Sequence, residues 1–349
     1  MTPSRLRTLP LAALLILAGM LAGCGPGPAD RADELRLVVY SSRVEQLIQP
    51  LFAAYTAETG VRIDFITADD QPLIQRLAAE GSASPADLLI TVDAGNLWNA
   101  AERGLLQPVE SPVLEGTIPA NLRDPDQRWF GLSIRARTVV YAPDRVAPDE
   151  IGNYESLAEP HWRGRLCLRT SKKVYNQSLV AMLIAQHGEA RAEEIVRGWV
   201  ANLATDVLPN DNQVIEAVAA GRCDVGLVNT YYYGRLVAQQ PDLNARLYWP
   251  NQDTSLPEGN GVHINVSGAG ITRHAPRAAQ ARAFLEWLAS PAAQQKFAAL
   301  NYEYPANANV PLDPLVAGWG EFRQNATNVA RLGELQAAAV RLMDRVGYR

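Results

Sequence analysis

The feature that most limits the fold of this chain is an alternation of strand and helix signals that begins at Leu35. Leu35-Arg-Leu-Val-Val-Tyr40 is a short β-rich run, and Ser41-Ser42 follow it as N-cap candidates. From Val44 to Glu58 the apolar residues recur at helical spacing, and Gly60 closes that helix. Val61 to Ile66 reads as a second strand, Gln71 to Glu80 as a helix and Asp87 to Val92 as a third strand. Strands separated by helices pair side by side through crossovers, so an α/β lobe with a parallel core sheet is expected here.

A second alternation lies between Trp162 and Asn229. It has a strand near Leu166, helices over Ser178 to Gln186, Glu189 to Leu203 and Asn212 to Ala220, and a strand over Asp224 to Val228. Two long β-branched runs, Gly131 to Tyr141 and His263 to Ile271, are placed to carry the chain between the two lobes. Ala275 to Leu300 reads as an Ala-rich helix punctuated by Ser290-Pro291, and Thr327 to Val346 as a C-terminal helix. With 349 residues, the chain exceeds what one core usually supports. Its 48% hydrophobic and 20% charged residues suit a folded globular body. Two lobes that exchange the chain more than once would enclose a hinged cleft.

The N-terminus reads differently. Arg5 and Arg7 precede an apolar run from Leu9 to Ala22 that is short for a membrane span and ends in Leu21-Ala22-Gly23-Cys24. This resembles a bacterial lipoprotein signal peptide over residues 1–23, cleaved to leave Cys24 acylated. The alternative is an uncleaved signal anchor with an incidental cysteine. Residues 24–34, rich in Gly, Pro, Ala and Asp, then form a tether. Export implies attachment to a membrane through the lipid alone, on the periplasmic side or on the outer surface of a cell with one membrane. Loss of residues 1–23 leaves 30 basic against 37 acidic side chains, a formal charge of −7, which argues against a nucleic-acid partner. Cys167 and Cys223 then remain in a compartment that permits disulfides. They are either bridged or two separately buried thiols.

Among residues able to carry chemistry, Asn229-Thr-Tyr-Tyr-Tyr-Gly-Arg235 is the most unusual, with three consecutive tyrosines directly after a buried strand. At the C-terminal end of such a strand, adjacent phenols can converge on a small target. They can equally form an aromatic plug with solvated hydroxyls. Phenolate oxygen is a hard anionic donor, so a tyrosine cluster points to Fe³⁺ ahead of Zn²⁺ or Cu⁺. A free tyrosine titrates near pH ~10, so a Lewis-acidic cation or nearby positive charge is needed to ionise it. Arg43, Arg135, Arg137 and Arg235 can supply that charge, or hold a small anion such as carbonate. The four histidines are scattered, no Gly-x-Ser-x-Gly elbow is present and no Gly-rich phosphate loop follows a strand. Catalysis therefore has no signature.

Val39-Tyr-Ser-Ser-Arg43, Asp87 to Trp98, Gly131 to Tyr141, Tyr175-Asn-Gln-Ser-Leu-Val180 and Asn229 to Arg235 occur in an order that resembles the ferric-iron-binding proteins of bacterial ABC importers, in particular the cyanobacterial type. The resemblance runs from Leu35 to Tyr348. It implies a type II periplasmic-binding-protein fold, α/β with two lobes and a hinged interlobe cleft. The implied lobes are 35–134 with 266–306, and 135–265 with 307–349. It also implies iron bound by Tyr231, Tyr232 and Tyr175, with Tyr233 just past the pair and Arg235 near the metal. The chain departs from the family where the cyanobacterial members carry His-Tyr, because Val44 and Glu45 stand there, and Val92 falls where other members carry an acid. The first lobe is then left with Glu45, Asp93, or an anion and water, with Arg43 or Arg135 clamping the anion. The implied role is capture of ferric iron by a monomer and delivery to a membrane permease, with no reaction catalysed. A competing expectation keeps the transport role for a small organic or phosphorylated solute of polyamine, thiamine or phosphonate type. An exported enzyme is a third.

Overall fold

The computed structural model describes residues 35–253, 255 and 260–349. The signal peptide, Cys24 and the tether lie outside the described residues. In chain order the first part contains β1 (Arg36–Ser41), α1 (Glu45–Thr59), β2 (Arg62–Thr67), α2 (Asp70–Glu80), β3 (Leu88–Val92), α3 (Ala94–Glu102), α4 (Pro112–Thr117) and β4 (Phe130–Tyr141). Next come β5 (Leu166–Cys167), α5 (Val174–His187), α6 (Glu189–Ala201), α7 (Asp211–Ala219), β6 (Val225–Asn229), α8 (Thr230–Gln239) and β7 (Arg246–Tyr248). The last part holds β8 (Ile264–Ile271), α9 (Ala278–Leu288), α10 (Pro291–Ala299), β9 (Tyr304–Pro305), α11 (Pro314–Ala317) and α12 (Ala330–Arg345).

The strands pair in the order β2-β1-β3-β8-β4-β6-β5, with β7 and β9 also on β4. β1 is parallel to β2 and β3, as the strand and helix alternation requires. The expectation of a parallel core sheet stops there, because β8 enters antiparallel between β3 and β4. A strand that returns directly from the other half needs no crossover helix and is free to run antiparallel. β4 is the crossing element. It pairs with β8 from Phe130 to Ala136 and with β6 from Arg137 to Tyr141, changing partner in mid-strand. The second long run touches the far side only at its start, where the His263 carbonyl accepts from the Arg137 amide at 2.9 Å.

Of the two helices that begin beside the later site, one starts earlier than the sequence suggests and the other has no counterpart in the sequence reading. α5 begins at Val174, a full turn before Ser178, with Lys173 at its N-cap and no side-chain cap bond. α8 begins at Thr230, so the three tyrosines open a helix. Neither start has a side-chain cap, the usual sequence mark of a helix N-terminus. The Ala-rich segment is two helices broken at Ser290, whose hydroxyl caps α10. Cys167 and Cys223 are joined in a disulfide with their Cα atoms 5.9 Å apart, which closes the question left open by the sequence.

α12 packs on both α5 and α3 and so ties the two halves together at the back of the cleft. Its close approach to α3 depends on Gly333, where an added Cβ would stand 2.5 Å from Trp98 Cβ. Neither backbone can yield cheaply at such a contact. Gly333→Ala is therefore expected to lower the unfolding free energy by about 1–3 kcal/mol, read from the denaturant midpoint. An unchanged midpoint would show that α12 is not held by this contact.

Candidate metal centre

Three helices, three strands and two connecting segments deliver the site. β6 ends at Asn229 and α8 follows without a loop, so Tyr231 and Tyr232 occupy the first turn of that helix. Tyr175 occupies the first turn of α5. Both helix N-termini place unpaired backbone N–H groups and the positive end of the helix dipole on the side of the phenols. The opposite wall comes from Arg43 after β1, Val92 at the end of β3, Ser267 in β8, and Asn301 and Glu303 between α10 and β9. Arg135 in β4 and Arg235 in α8 complete a cavity of about 150 Å³ shared by these groups with Val44 and Leu47.

The phenols are close to one another and largely out of water. Tyr175 is 8% and Tyr231 6% exposed, while Tyr232 is half-buried. The Tyr231 and Tyr232 rings stack with centroids 4.5 Å apart, and Tyr175 lines the same cavity. Burial is the main reason that Tyr175 is pushed up to about 12, with the neighbouring Tyr232 adding to the rise and Arg135 opposing it. Burial likewise holds Tyr231 well above the usual phenol range, again with Arg135 pulling the other way.

Guanidinium groups surround the rings. Arg135 and Arg169 each lie 5.3 Å from the Tyr175 ring centre, and Arg235 lies 5.2 Å from that of Tyr231. Most of this charge is anchored by buried carboxylates. Arg43 pairs with Glu303 at 3.1 Å, Arg135 with Asp93 at 3.0 Å and Arg169 with Asp211 at 3.2 Å. Burial raises the Glu303 carboxyl, but Arg43, the Ser133 hydroxyl, Arg135 and Asn301 outweigh it and hold it below its ordinary value. Arg235 donates to Asn301 and has no carboxylate partner among the described residues. The Arg43 Nε and Nη2 are buried without hydrogen-bond partners.

Of the residues singled out in the sequence, Tyr175, Tyr231, Tyr232, Arg43, Arg135 and Arg235 line this one cavity. Glu45, Tyr233, Asp93 and Arg137 do not. Glu45 is exposed on the first turn of α1 and lines a neighbouring surface hollow. Tyr233 turns away, its hydroxyl donating to the Ala245 carbonyl at 3.2 Å and its ring meeting Trp319 edge-on. Asp93 is fully buried and committed to Arg135, Ser178, Asn265 and the Gly95 amide, and Arg137 is paired with Asp211. Sequence reasoning missed Glu303 and Asn301 on the facing wall, and Arg169 and Asp211 behind the phenols. Each is an ordinary polar residue in its own segment, so only the folded proximity marks it.

The sequence matches the family model of bacterial extracellular solute-binding proteins over residues 50–324. It is 41% identical over 341 residues to iron uptake protein A1 of Synechocystis, covering 95% of this chain and 93% of that protein. It is 25% identical to the Fe(3+)-binding periplasmic protein of Serratia marcescens, across 98% of both chains. Among solved structures it superposes on the Trichodesmium protein FutA (IdiA), determined with iron and citrate ligands. That match has a TM-score of 0.85 and 43% identity, and covers 90% of this chain and 100% of the other.

The charge anchors can be tested on the metal-free protein. Arg135→Gln leaves Asp93 buried without its counter-charge and is expected to lose about 3–5 kcal/mol of unfolding free energy. Adding Asp93→Asn should recover a large part of that loss. Equal instability of the single and double variants would mean that the ion pair is not what Arg135 contributes.

Proposed function

The chain belongs to the bacterial extracellular solute-binding protein family, and from that premise we propose that it captures ferric iron through Tyr175, Tyr231 and Tyr232 and hands it to an ABC permease. The carrying observation is the convergence of three phenols from the first turns of α5 and α8 in one guanidinium-lined cavity. Hard phenolate donors suit Fe³⁺, whose charge drives off the protons that burial otherwise retains. The relatives support the same cargo, since the Synechocystis protein is an iron uptake protein and the Serratia one is an Fe(3+)-binding protein.

Three phenolates leave part of the ferric coordination sphere to other donors. Val44, Leu47 and Val92 offer none, Glu45 stands outside the cavity, and the remaining wall is dominated by Arg43, Arg135 and Arg235. That wall favours an anion, either carbonate or a carboxylate chelate such as the citrate found with iron in the Trichodesmium protein. Glu45 could join only if the first turn of α1 moved inward as the lobes closed. The lobes in this reading are 35–134 with 266–306, and 135–265 with 307–349. Cys24 carries the lipid anchor, a monomer acts outside the cytoplasmic membrane, and no bond is made or broken in the cargo. Among the described residues no helix is long and apolar enough to cross a membrane.

Loading the purified protein with ferric citrate should produce a visible phenolate-to-iron absorption band and a rise in melting temperature. Replacing Tyr175, Tyr231 and Tyr232 by Phe in turn should weaken the band stepwise. A colourless protein with no thermal shift would remove the iron assignment, and unchanged binding in all three variants would move the site elsewhere.

The acid response follows from the same chemistry. Each phenol that binds as phenolate releases one proton, so affinity should fall as pH falls, by up to about ten-fold per pH unit for each proton displaced. Affinity independent of pH would show that the phenols are not ligands.

A further inference from the structure

We propose that the Cys167–Cys223 disulfide positions the phenol site, by fixing where Arg169 stands against Tyr175 and Tyr232; this rests on the ferric-iron reading above. The bond joins two segments that reach the site from behind. Cys167 is the last residue of β5, and Arg169 follows two positions later. Cys223 lies just ahead of β6, whose end at Asn229 leads directly into Tyr231 and Tyr232. One covalent link therefore sets the segment that carries a guanidinium against the segment that carries two of the phenols.

The backbone contacts that share in holding that register are short: Arg169 forms a single bridge with Leu208, and the Arg165 carbonyl accepts from the Asp224 and Val225 amides at 2.8 and 3.1 Å. β5 is only two residues long and meets β6 at two positions, Leu166 opposite Val225 and Cys167 opposite Gly226. On the other side the Arg169 carbonyl accepts from the Asn176 side chain at 3.0 Å and from the Tyr348 hydroxyl at 2.8 Å, which draws its backbone toward α5 and the chain end. The bond closes a loop of sequence separation 56, long enough that its loss would give the two segments considerable freedom in any opened state.

Arg169 is worth holding. It is 4% exposed, lies 5.3 Å from the Tyr175 ring centre, and shares its electrostatic surroundings with Tyr232. Its guanidinium is tethered to Asp211 at 3.2 Å and to the Pro209 carbonyl at 3.2 Å. Its Nε is buried without a hydrogen-bond partner. A buried cation this near two phenolates favours their charged, metal-binding form, and a small displacement weakens that help steeply in a low-dielectric site.

The test compares Arg169→Gln, the pair Cys167→Ser with Cys223→Ser, and the triple variant, each titrated with ferric citrate against excess citrate below its melting temperature. Arg169→Gln should weaken iron binding about ten-fold and shift the visible band. The cysteine pair should weaken binding several-fold and shift the band in the same direction, and the triple variant should bind no more weakly than Arg169→Gln. In the metal-free protein, amide exchange over 166–169 should quicken in the cysteine pair while that of β1 stays as in the parent protein. Parent affinity and band in the cysteine pair, or losses that add in the triple variant, would overturn the proposal. If the cysteine pair does not fold, the native protein reduced with a phosphine gives the same readings. Unfolding on reduction would also overturn it, since the bond would then hold the whole fold. Should the parent protein itself show no band, the iron reading fails, and the exchange comparison still decides whether the bond fixes Arg169.

Discussion

A phenol taken out of water keeps its proton, and the site is organised around that resistance. Tyr175 and Tyr231 are held protonated chiefly by burial, with Arg135 pulling each the other way. Bare guanidinium groups could not be buried beside them either, so each needs a carboxylate. Glu303 meets that need for Arg43, Asp93 for Arg135, and Asp211 for Arg137 and Arg169 together. The result is a cavity in which burial favours the protonated form of Tyr175 and Tyr231, and in which guanidinium groups already stand where they would stabilise the phenolates that the proposed ferric cargo requires.

The fold supplies these groups from distant parts of the chain. β4 carries Arg135 and Arg137 across the point where its partner changes from β8 to β6. Their carboxylates come from opposite sides, Asp93 after β3 and Asp211 at the start of α7. Ser178 in α5 donates to Asp93 at 2.9 Å, and Arg235 in α8 donates to Asn301 beyond α10, so the two walls are bonded to each other around the cavity. A ligand that draws these walls together gains contacts on both, which is the condition for ligand-driven closure.

Much of this was legible in the sequence, and what was not has a physical reason. Strand and helix periodicity located nearly every long element, because burial of one face imposes that period directly. The three consecutive tyrosines were visible as an anomaly, yet their helix was not, since α8 starts without a side-chain cap. Tyr175 came only from the family resemblance, being a single tyrosine in a helix whose first turn the sequence hides. Glu303 and Asp211 were beyond reach, because an isolated acid becomes part of a site only when folding sets it beside an arginine far away in sequence. Glu45 shows a different limit of reading from sequence. It occupies a position where relatives supply a ligand, but an acidic residue in the first turn of a helix is equally at home in solvent, and that is where it stands.

The central claim is that the three phenol oxygens, and not the neighbouring carboxylates, hold the cargo. Anomalous diffraction at the iron edge from crystals of the ferric-loaded protein tests this most directly. The account predicts a single strong peak bonded to the hydroxyl oxygens of Tyr175, Tyr231 and Tyr232, with an anion between it and the arginines. A peak elsewhere, or iron bonded to Glu303 with the tyrosines unengaged, would contradict it.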